Sequence, residues 1–241
     1  MRKKNRSNLD YMRLGLAARH NLDEQIDKLI PVGDPKNSVF KAMVNKGICG
    51  IAALANLGNS TTEWNQHIKE ILDAIPVLVR IENPLVIIGE SGTGKESMAH
   101  VLHSIAKGDD KPFKPINCSA LPATLLESEL FGYVKGAFTD ANKDRVGMIE
   151  SAKGGSIFLD ELGKTDDYLQ HKLLRVIEEH KVRKIGSNTD TTIDDVKFII
   201  SLQPKDIKDE TITNDLLNRL NIYNAIKLPP LKERLKADPN I

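Results

Sequence analysis

Residues 84–105 read Pro84-Leu85-Val86-Ile87-Ile88-Gly89-Glu90-Ser91-Gly92-Thr93-Gly94-Lys95-Glu96-Ser97-Met98-Ala99-His100-Val101-Leu102-His103-Ser104-Ile105. A short apolar run, of the kind that forms a buried strand, stops at Gly89. Met98, Val101, Leu102 and Ile105 then fall at i, i+3, i+4 and i+7, which predicts a helix with one buried face. Between them lies a glycine-rich turn of spacing G-x-x-x-x-G-K, met by Gly89, Gly94 and Lys95. Glycines let the backbone take positive φ, so successive N–H groups can point inward at an anion. The helix start adds its positive dipole end, and Lys95 a mobile charge for the outer phosphates. Strand, loop, lysine and helix in this order predict a nucleoside-triphosphate site formed by Gly89, Glu90, Ser91, Gly92, Thr93, Gly94, Lys95 and Glu96. Two rivals fail on one residue each. A dinucleotide fingerprint needs glycine where Ser97 stands, and a hydrolase elbow around Ser91 needs glycine where Thr93 stands.

Downstream, short apolar runs alternate with helical patterns. Strands are predicted at 113–117, 156–159, 196–200 and 225–228, a helix through Leu169, Leu173, Val176 and Ile177, and a hairpin from Val182–Ile185 and Thr191–Ile193. This alternation predicts an α/β fold with a mostly parallel sheet flanked by helices and a ligand at the strands' carboxyl ends. The strand Ser156-Ile157-Phe158-Leu159 runs into Asp160-Glu161. One carboxylate there can hold magnesium, a role that suits Asp160. The other, Glu161, can orient or deprotonate an attacking water.

The totals set bounds. At 241 residues the chain can hold one sizeable domain and an appendage. A formal net charge of +1 gives no bulk argument for nucleic acid. The basic cluster Met1–Arg6 precedes no apolar h-region, so a signal peptide is not expected. Two cysteines without metal-type spacing fit a cytoplasmic protein, and no run is long and apolar enough for a membrane span. Residues 1–60 are expected to form a helical N-terminal extension and residues 61–241 the nucleotide-binding core. In the first part, helices are predicted within 8–30 and across Val39–Leu57. A third, capped by Ser60 or Thr61, is predicted to run to Ile75 with Trp64, Ile68, Ile71 and Leu72 as its apolar stripe. Smaller features carry plain readings: His100 and His103 as helix-surface residues, Cys118 as a packing thiol, and Lys181, Arg183 and Lys184 as a solvated face.

Several motifs together resemble one family. These are Gly89–Glu96, Asn117-Cys118-Ser119-Ala120-Leu121, Glu127-Ser128-Glu129-Leu130-Phe131-Gly132, Lys135-Gly136-Ala137-Phe138-Thr139-Asp140-Ala141, Gly154–Glu161, Lys172-Leu173-Leu174-Arg175 and Leu228-Pro229-Pro230-Leu231-Lys232-Glu233-Arg234. Over roughly residues 68 to 236 they are similar to the AAA+ domain of sigma-54-dependent transcription activators, a P-loop NTPase fold. Glu96 is the residue usual in that family. The resemblance implies a magnesium-dependent ATPase that remodels RNA polymerase bearing sigma-54. In it Gly136, Ala137, Phe138, Thr139, Asp140 and Ala141 would contact the sigma factor. Asn117 would restrain Glu161, and Arg219 would reach the γ-phosphate of a neighbouring subunit as an arginine finger. The chain would then assemble into a ring, expected to be a hexamer.

Four departures from the family pattern stand out. Asp140 replaces a glycine, Ile212-Thr213 replaces a Phe-Arg pair, and Leu202-Gln203 stands where a Thr-Asn sensor is usual. The sequence also stops at Ile241, so the helical lid and a DNA-binding domain are expected to be absent from this chain. An arginine finger is worth about 10³–10⁵ in kcat, so losing one of two opens an alternative. That alternative is an ATP-binding regulatory or interaction module without useful turnover.

Overall fold

The computed structural model describes residues 24, 26–27, 30–45, 63–230 and 232. Expectations for the basic cluster at 1–6, most of 8–30, the stretch 46–57, the cap at Ser60 or Thr61, the side chains of Trp64 and Ile68, and most of 231–234 lie outside them. In chain order the helices are α1 (Pro35–Asn45), α2 (Glu63–Leu78), α3 (Lys95–Ala106), α4 (Ala123–Phe131), α5 (Met148–Ser151), α6 (Asp167–Glu179), α7 (Pro204–Lys208) and α8 (Asn214–Leu220). The strands are β1 (Leu85–Gly89), β2 (Phe113–Asn117), β3 (Gly132–Tyr133), β4 (Arg145–Val146), β5 (Ser156–Asp160), β6 (Lys181–Arg183), β7 (Asp190–Thr192), β8 (Lys197–Leu202) and β9 (Ile226–Leu228).

Five strands form a parallel sheet in the order β2-β5-β8-β1-β9. Their apolar content explains why: β1 and β8 are buried along their whole length, as a parallel sheet covered on both faces requires. Successive side chains alternate between the faces, and the core divides accordingly. Val86, Ile88, Ile157, Leu159, Phe198, Ile200 and Leu202 pack with Leu126 and Leu130 of α4, Leu169 and Leu173 of α6, and Leu216 and Leu220 of α8. Leu85, Ile87, Phe158 and Ile199 pack on the opposite face with Phe40 and Met43 of α1, Ile71 and Ile75 of α2, and Met98 and Leu102 of α3. Helix α1, although it falls within 1–60, therefore shares one core cluster with the sheet and with the helix that starts at Lys95.

Two small antiparallel ribbons are set into this frame: β3 with β4, and the hairpin β6 with β7. Each strand of the hairpin starts one residue earlier than expected, and the first ends two residues earlier, at Arg183. Ile185, expected in its first strand, instead bridges Tyr133 in parallel, with Val134 N–H donating to Ile185 O at 3.1 Å. Helix α2 carries Pro76 near its end and runs to Leu78. A proline there gives up one backbone hydrogen bond, and the helix stops within a turn.

His103, expected on the helix surface, is buried at 3 % exposure, with Nδ1 2.9 Å from Ser156 Oγ. Its ring packs against Phe113 at a centroid distance of 5.0 Å. The i+3 step from His100 turns it from the edge of the apolar stripe towards the sheet. No cluster of three or more metal-binding side chains occurs among the described residues.

Candidate functional site

The glycine-rich loop leaves β1 at its carboxyl end and delivers the chain into α3 at Lys95. Gly92 and Gly94 have φ of 76° and 84°, in the left-handed region that glycine takes without a Cβ penalty. Gly89 is held by close approach: a Cβ there would stand 2.5 Å from Thr93 Oγ1 and 3.1 Å from Leu228 O. Thr93 is itself buried, and its hydroxyl donates to Glu90 O at 2.9 Å, closing the turn. The ammonium of Lys95 is tucked into the loop, donating to Gly89 O at 3.0 Å and Glu90 O at 2.8 Å. Glu90, Ser91 and Gly92 form the exposed rim, and a Cβ at Gly92 would meet nothing within 4 Å. Glu96 is exposed in the first turn of α3.

Asp160 and Glu161 lie at the carboxyl end of β5. Because β8 is inserted between β5 and β1, they sit two strands from the phosphate loop, about 10 Å at ordinary strand spacing. Asp160 has the parity of Phe158 and so lies on the face that α3 covers. Its carboxylate is held from two sides. Ser201 Oγ donates to Oδ1 at 2.5 Å, and Asn117 Nδ2 donates to Oδ2 at 3.3 Å. The Asn117 amide is oriented by its own turn, since Oδ1 accepts from Ser119 N–H at 2.8 Å and from Ser119 Oγ at 2.7 Å. Glu161 is a non-glycine residue at φ 56°, ψ 44°, a conformation costing on the order of 1–3 kcal/mol. The turn aims its carboxylate towards Gln203, whose Nε2 donates to Oε1 at 3.1 Å. The amide bonded to Glu161 is thus that of Gln203, while the amide of Asn117 bonds Asp160.

Cys118 is buried beside these acids. Burial, with the charges of Asp160 and Glu161, pushes its thiol up to about 12. It is inert packing at neutral pH. Arg219 lies half-buried on α8, and its Nη2 donates to Ile177 O in the last turn of α6 at 3.4 Å. Thr213, where the resemblance leads one to expect arginine, stands at the N-cap of α8 with its N–H donating to Gln170 Oε1 at 2.8 Å. Leu202 is fully buried in the core.

Residues 136–141 form a closed turn at the end of the β3–β4 ribbon. Gly136 N–H donates to Ala141 O at 2.9 Å, and Ala141 N–H donates to Phe138 O at 3.0 Å. Ala141 is buried, whereas Phe138 is 44 % exposed with its ring edge-on to Tyr133 at 4.8 Å. Thr139 and Asp140 are exposed beside it. The turn touches the β6–β7 hairpin: a Cβ on Gly186 would stand 2.8 Å from that of Ala137.

Sequence reasoning did not single out Ser201. Its only signal is one hydroxyl residue inside the apolar run Phe198–Leu202, next to a strand that ends in two acids.

Strand, glycine loop, lysine-led helix and a carboxylate pair two strands away define a P-loop nucleotide-binding fold of the AAA+ type. The chain belongs to the sigma-54 interaction domain family, which matches residues 62–226. It is 39 % identical over 191 residues to the DNA-binding transcriptional activator HyfR of Escherichia coli, a match covering 77 % of this chain and 28 % of HyfR. It is 40 % identical over 177 residues to the Nif-specific regulatory protein of Azotobacter vinelandii, covering 72 % of this chain and 33 % of that protein. Among solved structures, NtrX from Brucella abortus in complex with ATP superposes with a TM-score of 0.62 at 26 % identity. That match covers 75 % of this chain and 38 % of the NtrX chain. The chain thus spans roughly a third of the length of the curated relatives it matches. No helix among the described residues is long and apolar enough to cross a membrane.

Proposed function

We propose that this chain binds ATP with magnesium and couples its hydrolysis to remodelling of RNA polymerase carrying sigma-54. The observation that carries the reading is the pairing of a lysine-filled phosphate loop with Asp160 and Glu161 across one intervening strand. The rim at Glu90, Ser91 and Gly92 is exposed, with open space beside Gly92, so a triphosphate can reach the loop. Lys95 would exchange its two carbonyl partners for phosphate oxygens. Asp160 would hold magnesium, for which hard oxygen donors are the right kind. One or two protein carboxylates suffice when phosphates supply the remaining ligands. Held there, the ion would supply positive charge to offset that of the phosphates. Glu161 would accept a proton from the attacking water, and Gln203 would fix the direction of its carboxylate.

The NtrX neighbour's complex with ATP supports the nucleotide, and the family match supports sigma-54 as the partner of Phe138 and its turn. An exposed aromatic on a closed turn suits an anchor better than a core element. Arg219 would act across a subunit boundary by leaving Ile177 O, a long bond and so an easy one to exchange. That role requires a ring, which we take to be a hexamer.

Thr213 and the buried Leu202 favour a second reading, an ATP-binding regulatory module without useful turnover. One experiment separates the two: nucleotide binding and steady-state ATPase across a range of protein concentrations, for wild type, Lys95→Ala and Glu161→Gln. The first reading expects specific activity that rises with assembly. It also expects lost binding in Lys95→Ala, and retained binding without hydrolysis in Glu161→Gln. Wild type that binds ATP but turns over no faster than Glu161→Gln selects the second reading. Wild type that fails to retain ATP with magnesium at millimolar concentration sinks both.

A further inference from the structure

Between the strand that carries the phosphate loop and the strand that carries the two acids runs β8, and its Ser201 touches both acidic residues. The side chain is fully buried. Its register partner on β1 is Ile87, two residues before the loop begins at Gly89. On the other side the pairing of Leu159 with Ile200 brings the next residues, Asp160 and Ser201, side by side. The hydroxyl donates its single proton to Asp160 Oδ1 at 2.5 Å, and its oxygen accepts the Glu161 N–H at 2.9 Å. A serine hydroxyl has one proton to give and lone pairs to receive, so both capacities are used, on consecutive residues.

We propose that Ser201 is a positioning residue, one hydroxyl that sets the geometry of both acids at once; this rests on the nucleotide reading given above. The bond to Asp160 is charge-assisted and short. With Asn117 on the other oxygen it fixes the carboxylate's rotation and leaves outward lone pairs for magnesium. The bond from Glu161 N–H replaces the sheet hydrogen bond that ends where the chain turns out of β5. It holds the left-handed turn at φ 56° that sends the Glu161 side chain to Gln203. Alanine at 201 keeps the packing and removes both restraints. Asp160 can then rotate, and the Glu161 amide has no partner in the turn. Neighbouring apolar residues of β8 cannot take over, because Ile200 and Leu202 point to the opposite face.

The test compares wild type, Ser201→Ala and Ser201→Thr by three measurements. The first is amide exchange at Glu161, which needs no nucleotide. The second is the magnesium concentration for half-maximal binding of a fluorescent ATP analogue. The third is kcat and KM for ATP. In Ser201→Ala, Glu161 exchange should rise at least tenfold while β1 amides stay protected. The magnesium requirement should rise about tenfold, magnesium-free nucleotide affinity should stay within twofold, and kcat should fall at least tenfold with KM nearly unchanged. Threonine, which keeps the hydroxyl, should restore all three.

Ser201→Ala whose magnesium requirement and kcat stay within twofold of wild type overturns the proposal, even if Glu161 exchange rises. A threonine variant that melts like wild type but behaves like alanine overturns it too. Those failures leave the nucleotide reading intact, because wild type still binds magnesium and ATP; wild type that binds neither takes both down.

Discussion

Truncating Phe40 to alanine should destabilise the whole domain. Phe40 is fully buried on α1, in one cluster with Ile71 and Ile75 of α2, Leu102 of α3, and Phe158 and Ile199 of the sheet. A phenylalanine buries roughly 150–250 Å². At about 25 cal/mol per Å² that area is worth roughly 4–6 kcal/mol, which overlaps the measured range of about 3–5 kcal/mol for Phe→Ala in cores. Urea unfolding followed by helical circular dichroism measures it directly. With a slope of roughly 3 kcal/mol/M, the midpoint should fall by about 1 M or more. Val32, 72 % exposed just before α1, is the internal control, and Val32→Ala should shift stability by no more than about 0.5 kcal/mol. A Phe40→Ala loss below about 1 kcal/mol with an unchanged slope would refute the packing argument. It would mean that α1 does not contribute to the core shared with α3.

Other perturbations read other parts of the molecule. Gly155→Ala would place a Cβ 1.9 Å from Pro112 O; backbone cannot yield, so thermal unfolding should show a loss of more than about 3 kcal/mol. Burial, with the charge of Lys107 second, holds Lys197 down at about 8 from an ordinary 10.5. Between those pH values the unfolded chain binds more protons than the folded one, so stability should rise with pH from about 8 to 10.5. Denaturation midpoints across that window should show the slope, and Lys197→Met should flatten it. Phe138→Ala should leave ATP binding within about twofold, because the loop shares no hydrogen bond with Lys95 or Asp160. It should abolish capture of sigma-54 in a pull-down with purified factor.

The phosphate loop could be read directly because its requirements are local. A strand, two glycines and a lysine at fixed spacing dictate their own geometry whatever surrounds them. The parallel sheet followed from runs such as Val86–Ile88 and Phe198–Ile200, apolar on both faces. Strands β3 and β4 have two residues each, too few for any period to register. The burial of His103 depends on where Ser156 arrives, 53 residues later. Ser201 was hidden for the same kind of reason. A hydroxyl in an apolar strand is ambiguous until the strand order places it beside Asp160, and no spacing along the chain encodes that order. The match of amides to acids is likewise tertiary: the resemblance assigns Asn117 to Glu161, whereas the placed strands give Glu161 to Gln203 and Asp160 to Asn117.

The contact between Ala137 and Gly186, with the bridge from Tyr133 to Ile185, ties together two excursions from the sheet that arise some fifty residues apart. They are joined by close packing and by the bond from Val134 N–H to Ile185 O. A force on the Phe138 ring would reach the hairpin through these contacts, and the hairpin leads within five residues into β8, the strand that bears Ser201. The exposed turn and the central strand of the sheet are thereby joined by a short path along the chain, and a bulky residue in place of Gly186 would wedge the two excursions apart.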